Sequence, residues 1–173
     1  MIRKFIPSLK VQTVFDIPME ELFRQGYKAV ITDLDNTLVG AKDPLATPKL
    51  LSWLKELESA EFKVLIVSNN NETRVATFAN PLGLPFIHSA RKPRLSAFRH
   101  ALSILGSSPK ETIMIGDQLM TDVFGGNRMG LYTVLVDPVS MADEGFGTRI
   151  NRRLEKFVRA RLRKKGLHWE EKQ

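Results

Sequence analysis

Ala29-Val-Ile-Thr-Asp33-Leu-Asp35-Asn-Thr37-Leu38 is the stretch whose reading decides the fold. An apolar run that ends in two carboxylates predicts a strand over Ala29 to Leu34. Such a strand carries acids to its C-terminal end, where an open α/β sheet places its ligand site. Two acids one residue apart can divide covalent catalysis, one attacking while the other moves a proton. Asp and Asn are also ordinary turn and cap residues, so the stretch gains its meaning from the polar residues farther along the chain.

Outward from this strand, helical and strand-like patterns alternate. Asp16 is expected to cap a short helix through Met19 to Phe23, stopped by Gly26. Thr47-Pro48 reads as an N-cap with proline in the first turn, opening a helix whose apolar stripe is Leu50, Leu51, Leu54 and Leu57. Lys63 to Val67 is a buried strand, and Asn71-Glu72 opens a further helix toward Phe78. A short strand at Phe86-Ile87 precedes a helix with Leu95, Phe98, Leu102 and Leu105 on one face, closed by Gly106. Thr112 to Ile115 and Leu131 to Val136 read as strands, with a helix from Thr121 to Met129 between them. Strands alternating with helices favour βαβ units and a parallel sheet covered on both faces.

Polar groups recur just past these strands. Ser68-Asn69 follows the strand at Lys63 to Val67, Lys92-Pro93 follows Phe86-Ile87, and Gly116-Asp117 follows Thr112 to Ile115, with Asp122 five positions beyond Asp117. Parallel strands bring all these ends to one edge. Singly, Ser68 reads as a cap, Lys92 as a solvated charge and Asp117 as a turn residue. Gathered together, carboxylates in one cleft repel unless a cation sits among them. A hard divalent cation with oxygen ligands, Mg²⁺, is the expected solution. Asp33 and Asp117 then stay ionised, Lys92 and the metal neutralise a tetrahedral dianion, and Ser68 donates to one of its oxygens. These are the parts that phosphoryl transfer needs.

Asp33-x-Asp35-x-Thr37, Ser68, Lys92 and Gly116-Asp117-x₄-Asp122 stand in an order that resembles the haloacid dehalogenase-like (HAD) hydrolase superfamily, over roughly residues 28–137. The resemblance implies a Rossmann-like three-layer α/β/α sandwich. It implies Asp33 as the nucleophile that forms an aspartyl-phosphate and Asp35 as the acid and then the base. Asp33, the backbone carbonyl of Asp35 and Asp117 are implied as metal ligands. Asp122 is implied to orient a metal-bound water or Lys92, and Thr37 to brace the turn through backbone hydrogen bonds. An acid at position 35 fits a phosphatase, because the transport ATPases of the superfamily carry threonine there and its dehalogenases lack the acid.

The intervals between motifs, about 30 residues from Leu38 to Ser68 and about 23 from Ser68 to Lys92, have no room for a cap domain. Local sequence at Val67-Ser-Asn-Asn, Ala90-Arg-Lys-Pro and Gly116-Asp-Gln-x-x-Thr-Asp-Val is similar to the subfamily IIIA phosphatases of the YqeG type and to mitochondrial phosphatidylglycerophosphate phosphatases. That likeness implies phosphatidylglycerophosphate as substrate and phosphatidylglycerol as product. The same chemistry on a soluble phosphomonoester (a sugar phosphate, nucleotide or phosphoprotein) is the alternative. Asn69 joins Ser68 and Lys92 as an expected substrate contact, with Arg91 and Arg128 as further candidates.

The 173 residues, 43% apolar and 26% charged, suit one soluble domain. The absence of cysteine excludes disulfides and thiolate catalysis. The opening, Met1 to Pro7, does not develop a signal-peptide hydrophobic stretch. A cytoplasmic protein is expected, with peripheral attachment to the inner face of the membrane. Charge divides the chain in two. Residues 1–148, the expected phosphatase core with its helical lead-in, hold 16 basic and 16 acidic side chains, whereas the tail, 149–173, holds 10 and 3. Ile150, Leu154, Phe157, Val158 and Leu162 form one helical stripe in that tail. The stripe can dock on the domain or lie on anionic lipid. A third reading, a nucleic-acid or ribosome-associated module, is disfavoured, since Phe157 and Trp169 are the tail's only aromatics.

Overall fold

The computed structural model describes residues 2–140 and 146–167, with the side chains of 146–150 and 152 outside that description. The sequence also suggests a boundary at Asp143-Glu144-Gly145-Phe146-Gly147, of which 143–145 lie outside the described residues, as does Trp169. Six strands form a single sheet: β1 (Leu9–Lys10), β2 (Ala29–Thr32), β3 (Lys63–Val67), β4 (Phe86–Ile87), β5 (Thr112–Gly116) and β6 (Tyr132–Leu135). Every pairing is parallel and the order is β1-β6-β5-β2-β3-β4. The chain is thus an α/β sandwich of the expected class. β2 sits in the middle, with Thr32 level with Ile66 on β3 and Ile115 on β5. The residues just beyond these three strands therefore meet at one edge.

Strand alternation explains the two helical layers. Val30, Ile66, Ile113 and Ile115 face α2 (Pro48–Ser59) and α3 (Glu72–Ala79), burying Leu50, Trp53, Leu57, Val75 and Phe78. Ala29, Ile31, Leu65, Val67 and Met114 face α4 (Leu95–Leu105), burying Phe98, Ala101, Leu102 and Leu105. α1 (Met19–Arg24) adds Leu22 to the first layer. α5 (Phe124–Met129) packs flush on the second, since a Cβ at Gly125 would lie 2.6 Å from the Phe98 ring. The Thr47 hydroxyl accepts from the Leu50 amide (3.2 Å), and Asn71 caps α3 through the Arg74 amide, as the sequence predicts.

Four expectations are corrected. Asp16 does not cap α1; its carboxylate accepts from Thr13 and closes its own 3₁₀ turn, while Pro18 takes the cap position. Leu51 lies outside the α2 stripe, and Trp53 fills its place in the core. The helix expected from Thr121 starts earlier, as a π-turn over Leu119–Val123 that leads into α5. Leu9–Lys10 supplies an edge strand with no counterpart in the expected set. Truncating Phe98 to alanine, fully buried between α4 and α5, is expected to lower unfolding stability by about 3–5 kcal/mol. Urea unfolding followed by circular dichroism measures it.

Candidate active site

The turn after β2 begins the site. Asn36 takes a left-handed backbone (φ 63°), and its amide donates to the Val39 carbonyl at 2.7 Å. The Thr37 and Leu38 amides both return to the Leu34 carbonyl. This tight loop holds Asp33 upright at the end of β2. The Asp33 amide is still hydrogen-bonded to the Ile115 carbonyl, and its Oδ1 accepts from the Leu34 amide at 2.8 Å.

Lys92 reaches the same point from the loop after β4. Its Nζ lies 2.9 Å from Asp33 Oδ1 and 2.7 Å from Asp122 Oδ1, and all three side chains are almost wholly buried. Asp122 stands on the π-turn, and its Oδ2 accepts from the Gln118 amide. Gly116 makes this approach possible, because a Cβ there would sit 2.3 Å from the Asp122 carboxylate carbon. Carboxylate oxygens of Asp33, Asp117 and Asp122 all lie within 4.8 Å of one another. Ser68 is buried at the end of β3; its Oγ accepts from the Asn70 amide (3.1 Å), which leaves its own proton to donate.

Asp33, Asp35, Thr37, Ser68, Lys92, Asp117 and Asp122 therefore do converge, but four of the expected side chains act otherwise than, or beyond, what was expected. Thr37 donates its hydroxyl to Asp117 Oδ1 (3.1 Å), so it braces an acid of the site as well as its own turn. Asn69 is a clamp on the lysine loop: its Oδ1 accepts from the Lys92 amide (2.6 Å) and its Nδ2 donates to the Lys92 carbonyl (3.3 Å). Arg128 is engaged with the Pro93 carbonyl and the Phe124 ring, and Arg91 is exposed.

Sequence reasoning missed three participants. Arg74 Nε (3.0 Å) and Nη2 (2.9 Å) grip Asp35 Oδ1, while Asn70 Nδ2 holds Asp35 Oδ2 at 2.8 Å. Asparagine and arginine at the start of a helix read as solvated polar residues, and no spacing rule ties them to position 35. Glu155 is the third. It is buried on α6 (Phe146–Lys164), and its Oε1 accepts from the Leu119 amide at 2.5 Å, two residues past Asp117. Asn151 adds a bond to the Gln118 side chain, and Val158 packs against the cluster of Leu119, Val123 and Leu135. The expected stripe is thus divided. Val158 and Leu162 face the domain, whereas Leu154 (46% exposed) and Phe157 (64% exposed) face outward.

Electrostatics test whether a cation suits this edge. Carboxylate oxygens of Asp33, Asp117 and Asp122 crowd within 4.8 Å of one another, with Lys92 paired to two of these acids and Arg74 to the neighbouring Asp35. Burial pushes the Asp33 carboxyl up to about 8; Lys92 opposes the rise, and Asp122 and Asp117 reinforce it. Burial works against charge on Lys92 as well, but Asp122 and Asp33 outweigh it and hold the ammonium above its ordinary pKa. A carboxyl protonated at neutral pH cannot attack. A divalent cation against Asp33 and Asp117 would offset this crowding of negative charge and restore the carboxylate, so the donor set fits an oxygen-ligated metal.

Comparison with known proteins agrees with this geometry. Residues 2–140 match the family described as mitochondrial PGP phosphatase. The chain belongs to that family. It is a phosphatase, and its fold is of the HAD type. It is 48% identical over 173 residues to the probable phosphatase YqeG of Bacillus subtilis, covering 99% of this chain and the whole of that one. It is 31% identical to the chloroplastic/mitochondrial phosphatidylglycerophosphate phosphatase 1 of Arabidopsis thaliana, over 95% of this chain but only 50% of that protein's length. A HAD phosphatase from Thermococcus onnurineus shares the fold at 17% identity, with a TM-score of 0.56 over 69% of this chain and 89% of that one.

The raised Asp33 pKa has a thermodynamic consequence. Between about pH 4 and 8 the folded protein keeps a proton that the unfolded chain has released, so stability falls as pH rises through that window. In chelator-containing buffer the melting midpoint of the wild type is expected to fall relative to Asp33→Asn from pH 5 to pH 8. Adding a divalent cation at pH 8 is expected to recover it. Parallel midpoints for the two proteins would refute the assigned shift.

Proposed function

We propose that this phosphatase uses Mg²⁺ and an aspartyl-phosphate intermediate to remove the terminal phosphate of phosphatidylglycerophosphate at a membrane surface. The observation that carries the chemistry is the buried Asp33–Lys92–Asp122 triad beside Asp117. Asp33, Asp117 and the backbone carbonyl of Asp35 would hold the ion, which supplies charge neutralisation at the phosphoryl oxygens. Asp33 Oδ1 is fixed by Lys92 and the Leu34 amide, so Oδ2 is the oxygen without a donor among the described residues. A bond forms from Asp33 to phosphorus as the bond from phosphorus to the leaving oxygen breaks. Asp35 gives that oxygen a proton, then takes one from the water that hydrolyses the intermediate and releases inorganic phosphate. Lys92 and the Ser68 hydroxyl bind the phosphoryl oxygens throughout.

Two observations support the lipid. The family and the Arabidopsis relative are described by that substrate. The outward stripe of α6 sets Leu154 and Phe157 among the exposed Arg153, Arg161 and Lys164, an arrangement suited to anionic lipid. Among the described residues no helix is long and apolar enough to cross a membrane, so attachment at the surface is the mode proposed.

With Mg²⁺, phosphate release from vesicles containing phosphatidylglycerophosphate is expected to exceed release from soluble sugar phosphates and nucleotides. Asp33→Asn is expected to lower the rate by about 10³-fold or more. Preference for the soluble esters would defeat the lipid assignment and favour the alternative. Leu154→Asp combined with Phe157→Asp is expected to weaken co-sedimentation with anionic vesicles by about a hundredfold or more, the scale of two buried apolar side chains lost. Unchanged sedimentation removes α6 as the contact.

A further inference from the structure

In the position it occupies, Asp35 is restrained from its proposed work. Both of its carboxylate oxygens are engaged, Oδ1 by the Arg74 fork and Oδ2 by Asn70. Three of its four acceptor sites are taken, so any turn of the side chain toward a leaving oxygen gives up one or more of these bonds. Arg74 lies on the first turn of α3, its amide held by Asn71, and its Nη2 also donates to the Gly40 carbonyl at 3.2 Å. The pair is only partly open to water, with Arg74 at 14% exposure and Asp35 at 19%. Nη1 donates to none of the described residues. If Asp35 turns away alone, a guanidinium largely out of water is left without its counter-ion, which is strongly unfavourable.

A second anion on the substrate resolves this. The leaving alcohol departs on the side where Asp35 must protonate it, and that is the side on which Arg74 stands. A phosphodiester attached to that alcohol can accept the planar guanidinium fork in two hydrogen bonds, replacing the carboxylate with an anion of matching geometry. We propose that Arg74 is the specificity residue for the leaving group. It selects monoesters whose alcohol also carries a phosphodiester, and it exchanges Asp35 for that anion, so binding the correct substrate releases the acid. The assignment rests on the acid role given to Asp35 under the proposed function. It does not require that the diester belong to a lipid. A uniformly bound substrate part would improve KM alone, whereas this exchange moves kcat as well, because the freed carboxylate acts in the transition state.

The test uses two soluble esters with the same scissile bond: glycerol 3-phosphate, and a glycerol phosphate whose other end bears a methyl phosphodiester. The wild type is expected to favour the second by about 10–100-fold in kcat/KM, the range of one charge-assisted contact. Arg74→Gln is expected to bring that ratio close to one, and Arg74→Lys to keep part of it in both kcat and KM, with melting midpoints monitored for all three proteins. A merely structural ion pair would lower both rates together and leave the ratio alone, and that result overturns the proposal. A wild-type ratio near one overturns it too. Should Arg74→Gln fail to fold, the lysine variant decides: a ratio equal to that of the wild type, with KM and kcat both unmoved, counts against the exchange. Vesicles containing phosphatidylglycerophosphate are assayed alongside. A wild type that discriminates between the soluble esters but ignores the vesicles removes the lipid reading while Arg74 keeps its role.

Discussion

The site depends on one ammonium group. Lys92 sits out of water between Asp33 and Asp122, at 2.9 and 2.7 Å, and much of the surrounding construction serves to keep it there. A buried charge tolerates that position only when paired. The acids arrive from two different strand ends, so the pairing stitches β2 to the π-turn beyond β5 through a residue from the loop after β4. Asn69 clamps the lysine's own backbone from the β3 end. Four neighbouring strands of a parallel sheet therefore contribute to one contact, and the register that aligns Thr32, Ile66 and Ile115 is what brings them within reach.

The excess of acid around this contact gives the edge its chemistry. With these carboxylates crowded within 4.8 Å, burial and the neighbouring acids favour a proton on Asp33, and a bound cation would relieve the same repulsion. Under the proposed function, metal affinity and nucleophile activation would be one electrostatic event, since a cation among these acids would also return Asp33 to its ionised form. Gly116 belongs to this arrangement. A methyl group at that position would occupy the volume of the Asp122 carboxylate, so the turn admits the acid only because the backbone there is bare.

Much of this was legible from residue order. An apolar run ending at once in a polar cluster, repeated along the chain, places Asp33, Ser68, Lys92 and Asp117 at strand ends, and parallel pairing does the rest. What stayed hidden was of two kinds. Some elements carry too little signal: Leu9–Lys10 is two residues long, and the π-turn at Leu119–Val123 departs from a helical pattern by a single residue. Other features depend on tertiary partners that no local pattern names. Arg74 and Asn70 read as the polar start of a helix until they are seen around Asp35. Glu155 reads as one acid diluting a basic run, although it is buried against the Leu119 amide. Asp16 is the reverse case, a plausible helix cap captured by Thr13 three residues earlier.

Glu155 ties the most peripheral part of the described chain to its most central loop. Its carboxylate satisfies a backbone donor two residues from Asp117, while the opposite side of the same helix presents Leu154 and Phe157 to the exterior. One helix thus joins the exterior side chains to the peptide just past Asp117 through a single carboxylate. Losing the Glu155 carboxylate would leave the Leu119 amide, buried two residues past Asp117, without its acceptor, so the helix serves the loop as a strut.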